Sequence, residues 1–194
     1  MSSRSSNDSI STVSESPNGG AKLKRSTSIE DISNVITYIL QQIISENELT
    51  ARRLKSIHDD DNTLDNCFSS LFIGTHIPSI SIENFIRRII RYCKLEKSTL
   101  ILSLIYIDRY CEYTKVILSK KNIHRIVLLS VLVAIKYNED EKCGLPFYSK
   151  VGGVPVGELL HLEIMFLIGI EYALFVNEYV YDKYETYIDK FIAV

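Results

Sequence analysis

The stretch FYSKVGGVPVGELLHLE, Phe147 to Glu163, decides the fold. It sets a lysine beside a glycine pair, then a proline, then a helical pattern, and so admits two readings: a loop that cradles phosphate, or a corner between packed helices. A phosphate loop of the Walker A kind requires the order G-x-x-x-x-G-K-[ST] after a strand, so that backbone N–H groups converge on the anion. Here Lys150 precedes Gly152 and Gly153, and no strand-like alternation precedes either. The dinucleotide fingerprint G-x-G-x-x-G and its βαβ unit are absent as well. The corner reading stands: Gly152 and Gly153 supply backbone freedom for a tight reversal, and Pro155 opens the following helix, where its missing N–H costs nothing.

Working outward, helical periodicity accounts for most of the chain. After the corner, PVGELLHLEIMFLIGIEY is one helix; Asn177 then caps EYVYDKYETYIDKFIAV, with Val180, Tyr184, Tyr187 and Phe191 on one stripe. Before the corner, Ser119 is expected to cap KKNIHRIVLLSVLVAIKYNED, and STLILSLIYIDRYCEY is apolar nearly all round from Leu100 to Ile107. A helix with no polar face belongs inside a bundle. Further upstream, Ser81 caps a helix carrying Glu83 in its first turn, and Ile80 and Phe85 occupy the two positions of a hydrophobic staple. Ile82, Phe85, Ile86, Ile89, Ile90 and Cys93 share its apolar stripe. The expected fold class is all-α: five helices, two of them central, spanning residues 66–190, with an additional N-terminal helix over residues 29–47. SIHDDDNTLDN reads as a polar loop. Residues 1–28, rich in Ser, Asn, Gly and charge, read as a disordered tail that cannot bury enough apolar surface to offset its ordering entropy. Within that tail LKRSTS, Leu23 to Ser28, places hydroxyls after two basic residues, as a regulatory phosphosite or an ordinary polar tail would.

The bulk composition narrows function by exclusion. The chain has 194 residues, 46% of them hydrophobic, enough for a core. Its strongest apolar run, residues 126–135, falls short of the roughly 20 residues a membrane span needs, and the serine-rich N-terminus lacks the apolar segment of a secretory signal. A net charge of −2 gives no support to general nucleic-acid binding. Cys67, Cys93, Cys111 and Cys143 form no CxxC pair and have no histidine at ligand spacing, so they read as reduced thiols filling the core, in keeping with a cytoplasmic and/or nuclear protein and with no metal site. No His/Ser/Asp set and no paired carboxylates emerge, so no catalytic residue is assigned and no cofactor is expected.

Three charges interrupt apolar stripes. Lys136 continues Leu129, Leu132 and Val133; Glu163 sits among Val156, Leu159, Leu160, Phe166 and Leu167; Asp108 follows Leu104 and Ile105. A charge on a buried stripe is costly unless paired. Lys136 and Glu163 either pair with each other or await a partner chain, and Asp108 is expected in a structural salt bridge with Arg88 as its candidate partner.

Taken together, PSISIENFIRRIIRY, LILSLIYIDRY, NIHRIVLLSVLVAIKYNED, PFYSKVGGV and ELLHLEIMFLIGIEYALFV resemble the cyclin box, and most closely the P/U-type cyclins, the group containing a yeast phosphate-pathway cyclin and the plant U-type cyclins. The resemblance runs from about Phe68 to Tyr187. It implies a five-helix domain whose third helix is central, and a regulatory subunit, itself not an enzyme, that binds and activates a cyclin-dependent protein kinase. It places the kinase contacts on Lys136 and Glu163, and structural roles on Arg88, Asp108, Gly152 and Gly153. Where many cell-cycle cyclins open the first helix with Met-Arg-Ala-Ile-Leu, a patch that docks Arg-x-Leu substrates, this chain has PSISI, Pro78 to Ile82, so the resemblance implies no such docking. The end at Val194 leaves room for one box only. The rival reading is a transcription-factor-type scaffold of the same fold that binds DNA or polymerase; it would call for a basic face, whereas the basic residues are scattered along the sequence.

Overall fold

The two stretches that lack a polar face take the centre. The computed structural model describes residues 27–55 and 67–193. These residues form eight helices and no strand: α1 (Ile29–Lys55), α2 (Cys67–Leu71), α3 (Ile82–Cys93), α4 (Lys97–Thr114), α5 (Ile123–Asn138), α6 (Leu145–Gly152), α7 (Val156–Gly169) and α8 (Glu178–Ile192). The all-α expectation holds, with α3, α4, α5, α7 and α8 as the five helices expected from periodicity. Helix α4 is buried without a break from Thr99 to Ile107 and α5 from Ile126 to Ile135. They pack along each other more extensively than any other pair, and α1, α3, α6, α7 and α8 cover what remains of them. The two serines in these buried runs are satisfied within their own helices: Ser103 Oγ donates to Leu100 O at 2.7 Å and Ser130 Oγ to Val127 O at 3.0 Å.

Two of the expected caps are in place. Ser81 Oγ accepts from Asn84 N at 3.2 Å, and Asn177 Oδ1 accepts from Val180 N at 2.9 Å. Ser119 does not cap α5. Its carbonyl instead accepts from the backbone N–H groups of Asn122 and Ile123, while buried Asn122 accepts from Ser119 N at 2.8 Å and donates to Ile117 O at 2.9 Å. The turn is thus knitted by Asn122, and α5 starts only at Ile123. Helix α1 extends past the expected residue 47 to Lys55. Its start is a capping box: Asp31 N donates to Ser28 Oγ at 3.1 Å and Ser28 N to Asp31 Oδ2 at 3.1 Å. Ser28 is therefore the cap of α1, and Thr27 hydrogen-bonds Asp189 of α8 at 2.9 Å, which removes both from the expected tail. The remainder of that tail, residues 1–26, and the loop of residues 56–66 lie outside the described residues. No single described helix is long and apolar enough to cross a membrane.

The glycine corner is a corner, though its two glycines serve different ends. PFYSKVG is itself helical, as α6, with Pro146 in its first turn. Gly152 is the last residue of α6 and is needed for space: a Cβ there would lie 2.2 Å from Leu128 Cδ2. Gly153 alone has a left-handed backbone, φ 69°, and meets nothing within 4 Å. Pro155 stands one place before α7, as its N-cap, and Val156 is the first helical residue.

This division of labour separates two substitutions in a melting experiment. Gly152→Ala should destabilise by about 1–3 kcal/mol through overpacking, and Leu128→Ala added to it should recover part of that loss by non-additivity. Gly153→Ala should cost about 1–2 kcal/mol through backbone strain, with no recovery from Leu128→Ala. Equal recovery in both would contradict the assignment.

Candidate functional site

Lys136 and Glu163 meet. Lys136 lies in the last turn of α5, one turn beyond buried Leu132 and Val133, and so emerges at the end of an apolar stripe. Glu163 lies in the middle of α7 on the face that buries Leu159, Leu162 and Phe166. Packing α7 on α5 brings Lys136 Nζ to 2.5 Å from Glu163 Oε1. The pair is asymmetric: the Glu163 side chain is 8% exposed and that of Lys136 42%. The carboxylate is desolvated and needs the ammonium, whereas the ammonium keeps donors free to face outward. The neighbouring chain is held in place as well. Lys142 Nζ donates to Lys136 O at 2.7 Å, a cation against the carbonyl end of α5, and Asn138 Nδ2 ties that end to Ser98 and Thr99 at the start of α4.

Next to this pair runs a feature the stripe pattern does not separate. Val156 and Leu160, grouped by spacing with the buried face of α7, point outward. With Ile164 and Ile168 they form an i, i+4 row, exposed by 41%, 49%, 46% and 42%. Leu160 stands one turn from Glu163. Tyr172 and Phe175, also exposed, continue the apolar surface past the end of α7. A row of exposed apolar side chains of this kind is a candidate interaction site. Its sequence signal was present: VGELLHLEIMFLIG has two overlapping apolar rows, and a helix at the edge of a bundle can bury only one.

Arg88 and Asp108 do not pair. Both are exposed. Arg88 Nη2 donates to Lys150 O at 3.0 Å and so ties α3 to the end of α6. Asp108 accepts a hydrogen bond from the Tyr184 hydroxyl of α8 at the rim of an apolar cleft of about 390 Å³ lined by Ile39, Leu104 and Cys111. Burial, with Asp108 beside it, pushes the Tyr184 hydroxyl well above the usual phenol range. The structural work in IYIDRY falls to residues that spacing did not single out. Tyr106 Oη donates to Leu174 O at 2.8 Å, and Arg109 Nη1 donates to Ala173 O at 2.5 Å and Phe175 O at 3.1 Å. These bonds fix the segment after α7 that carries Phe175. Their acceptors are backbone carbonyls, which leave no mark in a residue pattern.

The described residues hold no group of three or more His, Cys, Asp or Glu side chains able to bind a metal ion. Cys93, Cys111 and Cys143 are free thiols, and burial pushes Cys93 and Cys111 up to about 12.

Urea unfolding should separate the two members of the YIDR motif. Arg109→Ala should cost about 2 kcal/mol, because two carbonyls lose a charged donor. Asp108→Ala should cost less than about 1 kcal/mol, because the carboxylate is itself exposed and water can replace it at the half-buried Tyr184 hydroxyl. Equal losses would contradict this ordering.

With this geometry in view, comparison with known proteins gives a consistent answer. A family model described as Cyclin matches residues 30–174, from the start of α1 to just past α7, including both members of the ion pair. Cyclin-U2-1 of Arabidopsis thaliana is 28% identical over 170 residues, 87% of this chain and 76% of the relative. Cyclin-U4-2 of the same plant is 36% identical over 116 residues, 59% of this chain and 54% of the relative. PHO85 cyclin-7 of Saccharomyces cerevisiae is 27% identical over 176 residues, 84% of this chain and 61% of the relative. A family match over most of the chain, relatives of the U and PHO85 groups, and a helical box around two buried central helices agree: the chain belongs to the cyclin family and is a cyclin of the P/U type.

Proposed function

We propose that this cyclin is the regulatory subunit of a cyclin-dependent protein kinase and that it grips the kinase with the edge formed by α5 and α7. The observation that carries the reading is an ion pair, half out of water, set beside a row of exposed apolar side chains. Lys136 offers donors to partner backbone, Glu163 holds it in place, and Leu160, Ile164 and Ile168 supply area that only a partner would cover. The relative named PHO85 cyclin-7 supports a kinase partner of this class. The chain itself would do no chemistry. It would work by holding the αC helix of the kinase where the kinase's own Lys–Glu ion pair forms, binding the active conformer more tightly than the inactive one. Such a subunit would act in the nucleus and/or the cytoplasm, where kinases of this class and reduced thiols coexist.

A binding titration against a cyclin-dependent kinase that co-purifies with the native chain tests the site, with each variant's melt recorded alone. Lys136→Ala and Glu163→Ala should each weaken binding by at least about thirtyfold, as truncation of a desolvated charge pair does, while the chain stays folded at the assay temperature. Native affinity in both variants would contradict the assignment. A collapsed melt that accounts for all the lost binding would reduce the pair to an internal brace.

A further inference from the structure

On the face where the loop before α3 meets the start of α5 and the α6–α7 corner lies a cleft of about 330 Å³ that the proposed kinase contact does not use. Its floor and walls include Ile80, Phe85, Leu128 and Val154, and its charged lining residues are Arg88, Lys121 and Arg125, with no acidic side chain among the lining. In a chain of net charge −2 this concentration of cations is a local departure from the whole. The carboxylate tied to them is Glu158 of α7, whose Oε1 lies 2.5 Å from Arg125 Nη2. Three cations against that carboxylate leave a local charge of about two, which a phosphomonoester, at about −1.5 to −2 near neutral pH, would balance and a single carboxylate would not.

The donors are fixed by the fold. Arg88 is braced by its bond to Lys150 O. Lys121 is exposed, and its backbone carbonyl is pinned by Gly74 N at 3.0 Å, which joins the two sides of the cleft. His124 is not one of the cations. Its Nε2 faces the Ile80 carbonyl at 2.9 Å, an acceptor only, so Nε2 carries the proton and Nδ1 is a bare acceptor, buried without a partner among the described residues. Burial holds this imidazole below its ordinary range and so neutral.

We propose that this cleft binds a phosphorylated serine or threonine of a partner polypeptide, its phosphoryl group held by Arg88, Lys121 and Arg125 and its flanking chain lying on Ile80 and Phe85. A phosphoryl group offers three acceptor oxygens to guanidinium and ammonium donors. The apolar walls have no use for a bare anion and suit the chain on either side of the modified residue. The same cations repel an arginine-bearing peptide, and Ile82 of the PSISI segment is buried, so this face is unsuited to Arg-x-Leu docking. The proposal does not depend on the kinase reading, because the site lies within the isolated chain.

The test is anisotropy titration of the full chain with a labelled pentapeptide carrying one phosphoserine and no other charged side chain. Beside it run the unphosphorylated peptide, the same peptide with glutamate in place of phosphoserine, inorganic phosphate and duplex DNA. The phosphopeptide should bind at least about tenfold more tightly than every other probe, tenfold being about 1.4 kcal/mol. Lys121→Glu should cost at least a further factor of about ten, as removing a charge-assisted contact and adding repulsion would. Lys190→Glu, an exposed change on α8, should cost nothing. Lys121→Gln replaces Lys121→Glu if the latter does not melt cooperatively. Equal binding of phosphorylated and unphosphorylated peptides, equal or tighter binding of free phosphate or DNA, or indifference to the Lys121 substitution would each overturn the proposal.

Discussion

Two helices that have no face to show to water dictate the rest of this fold. Helices α4 and α5 are buried along nine and ten consecutive residues, Thr99–Ile107 and Ile126–Ile135, so each needs neighbours on every side. Fully burying one aliphatic side chain is worth about 1.5–3 kcal/mol, so no arrangement that wets either helix competes. The remaining helices are a coat for this pair. Helices α1 and α3 cover one side and α6 and α7 another, while α8 closes over α1 and α4. Gly152 and Gly169 mark where the coat comes closest, since a Cβ at either would collide with Leu128 or Tyr110.

A coat helix has only one face to give to the core, yet the sequence of α7 is apolar on two. The helix gives Leu159, Leu162 and Phe166 to the core, Phe166 stacking on Tyr110 of α4, and leaves Leu160, Ile164 and Ile168 outside. Glu163, carried inward with the buried row, would be an unpaired buried charge if Lys136 did not reach it from the end of α5. The ion pair therefore belongs to both the fold and the surface. It closes the seam between α5 and α7, and it puts a cation beside an apolar row, the edge proposed above to meet the kinase.

How much of this was legible in the sequence depends on where the relevant partner lies. The central helices were legible because burial on all sides erases periodic polarity, and the caps at Ser81 and Asn177 because their acceptors lie three residues from their donors. Lys136 and Glu163 were legible as interruptions, which identifies residues that need a partner without saying which. The Arg88–Asp108 pairing failed for that reason: each charge found its partner elsewhere, Arg88 at a carbonyl and Asp108 at a tyrosine hydroxyl. Tyr106 and Arg109 were missed because they bind backbone carbonyls some 64 to 68 residues away. The cap expected at Ser119 failed because buried Asn122, bonded back to Ile117, knits the turn and α5 starts only after it, a tertiary placement that residue type does not reveal. The basic cleft was invisible because Arg88, Lys121 and Arg125 come from two segments of a chain whose charges look scattered.

The central claim is that the outer face of α7 is a partner surface rather than an accident of composition. The most direct measurement places a charge in the middle of that face and reads folding and kinase capture from the same sample. Ile164→Glu touches no buried residue position and should leave stability within about 0.5 kcal/mol, as surface changes do, while capture of a cyclin-dependent kinase falls by at least about tenfold, the cost of desolvating a charge against an apolar contact. A folded Ile164→Glu chain that captures the kinase as well as the native chain would contradict the account.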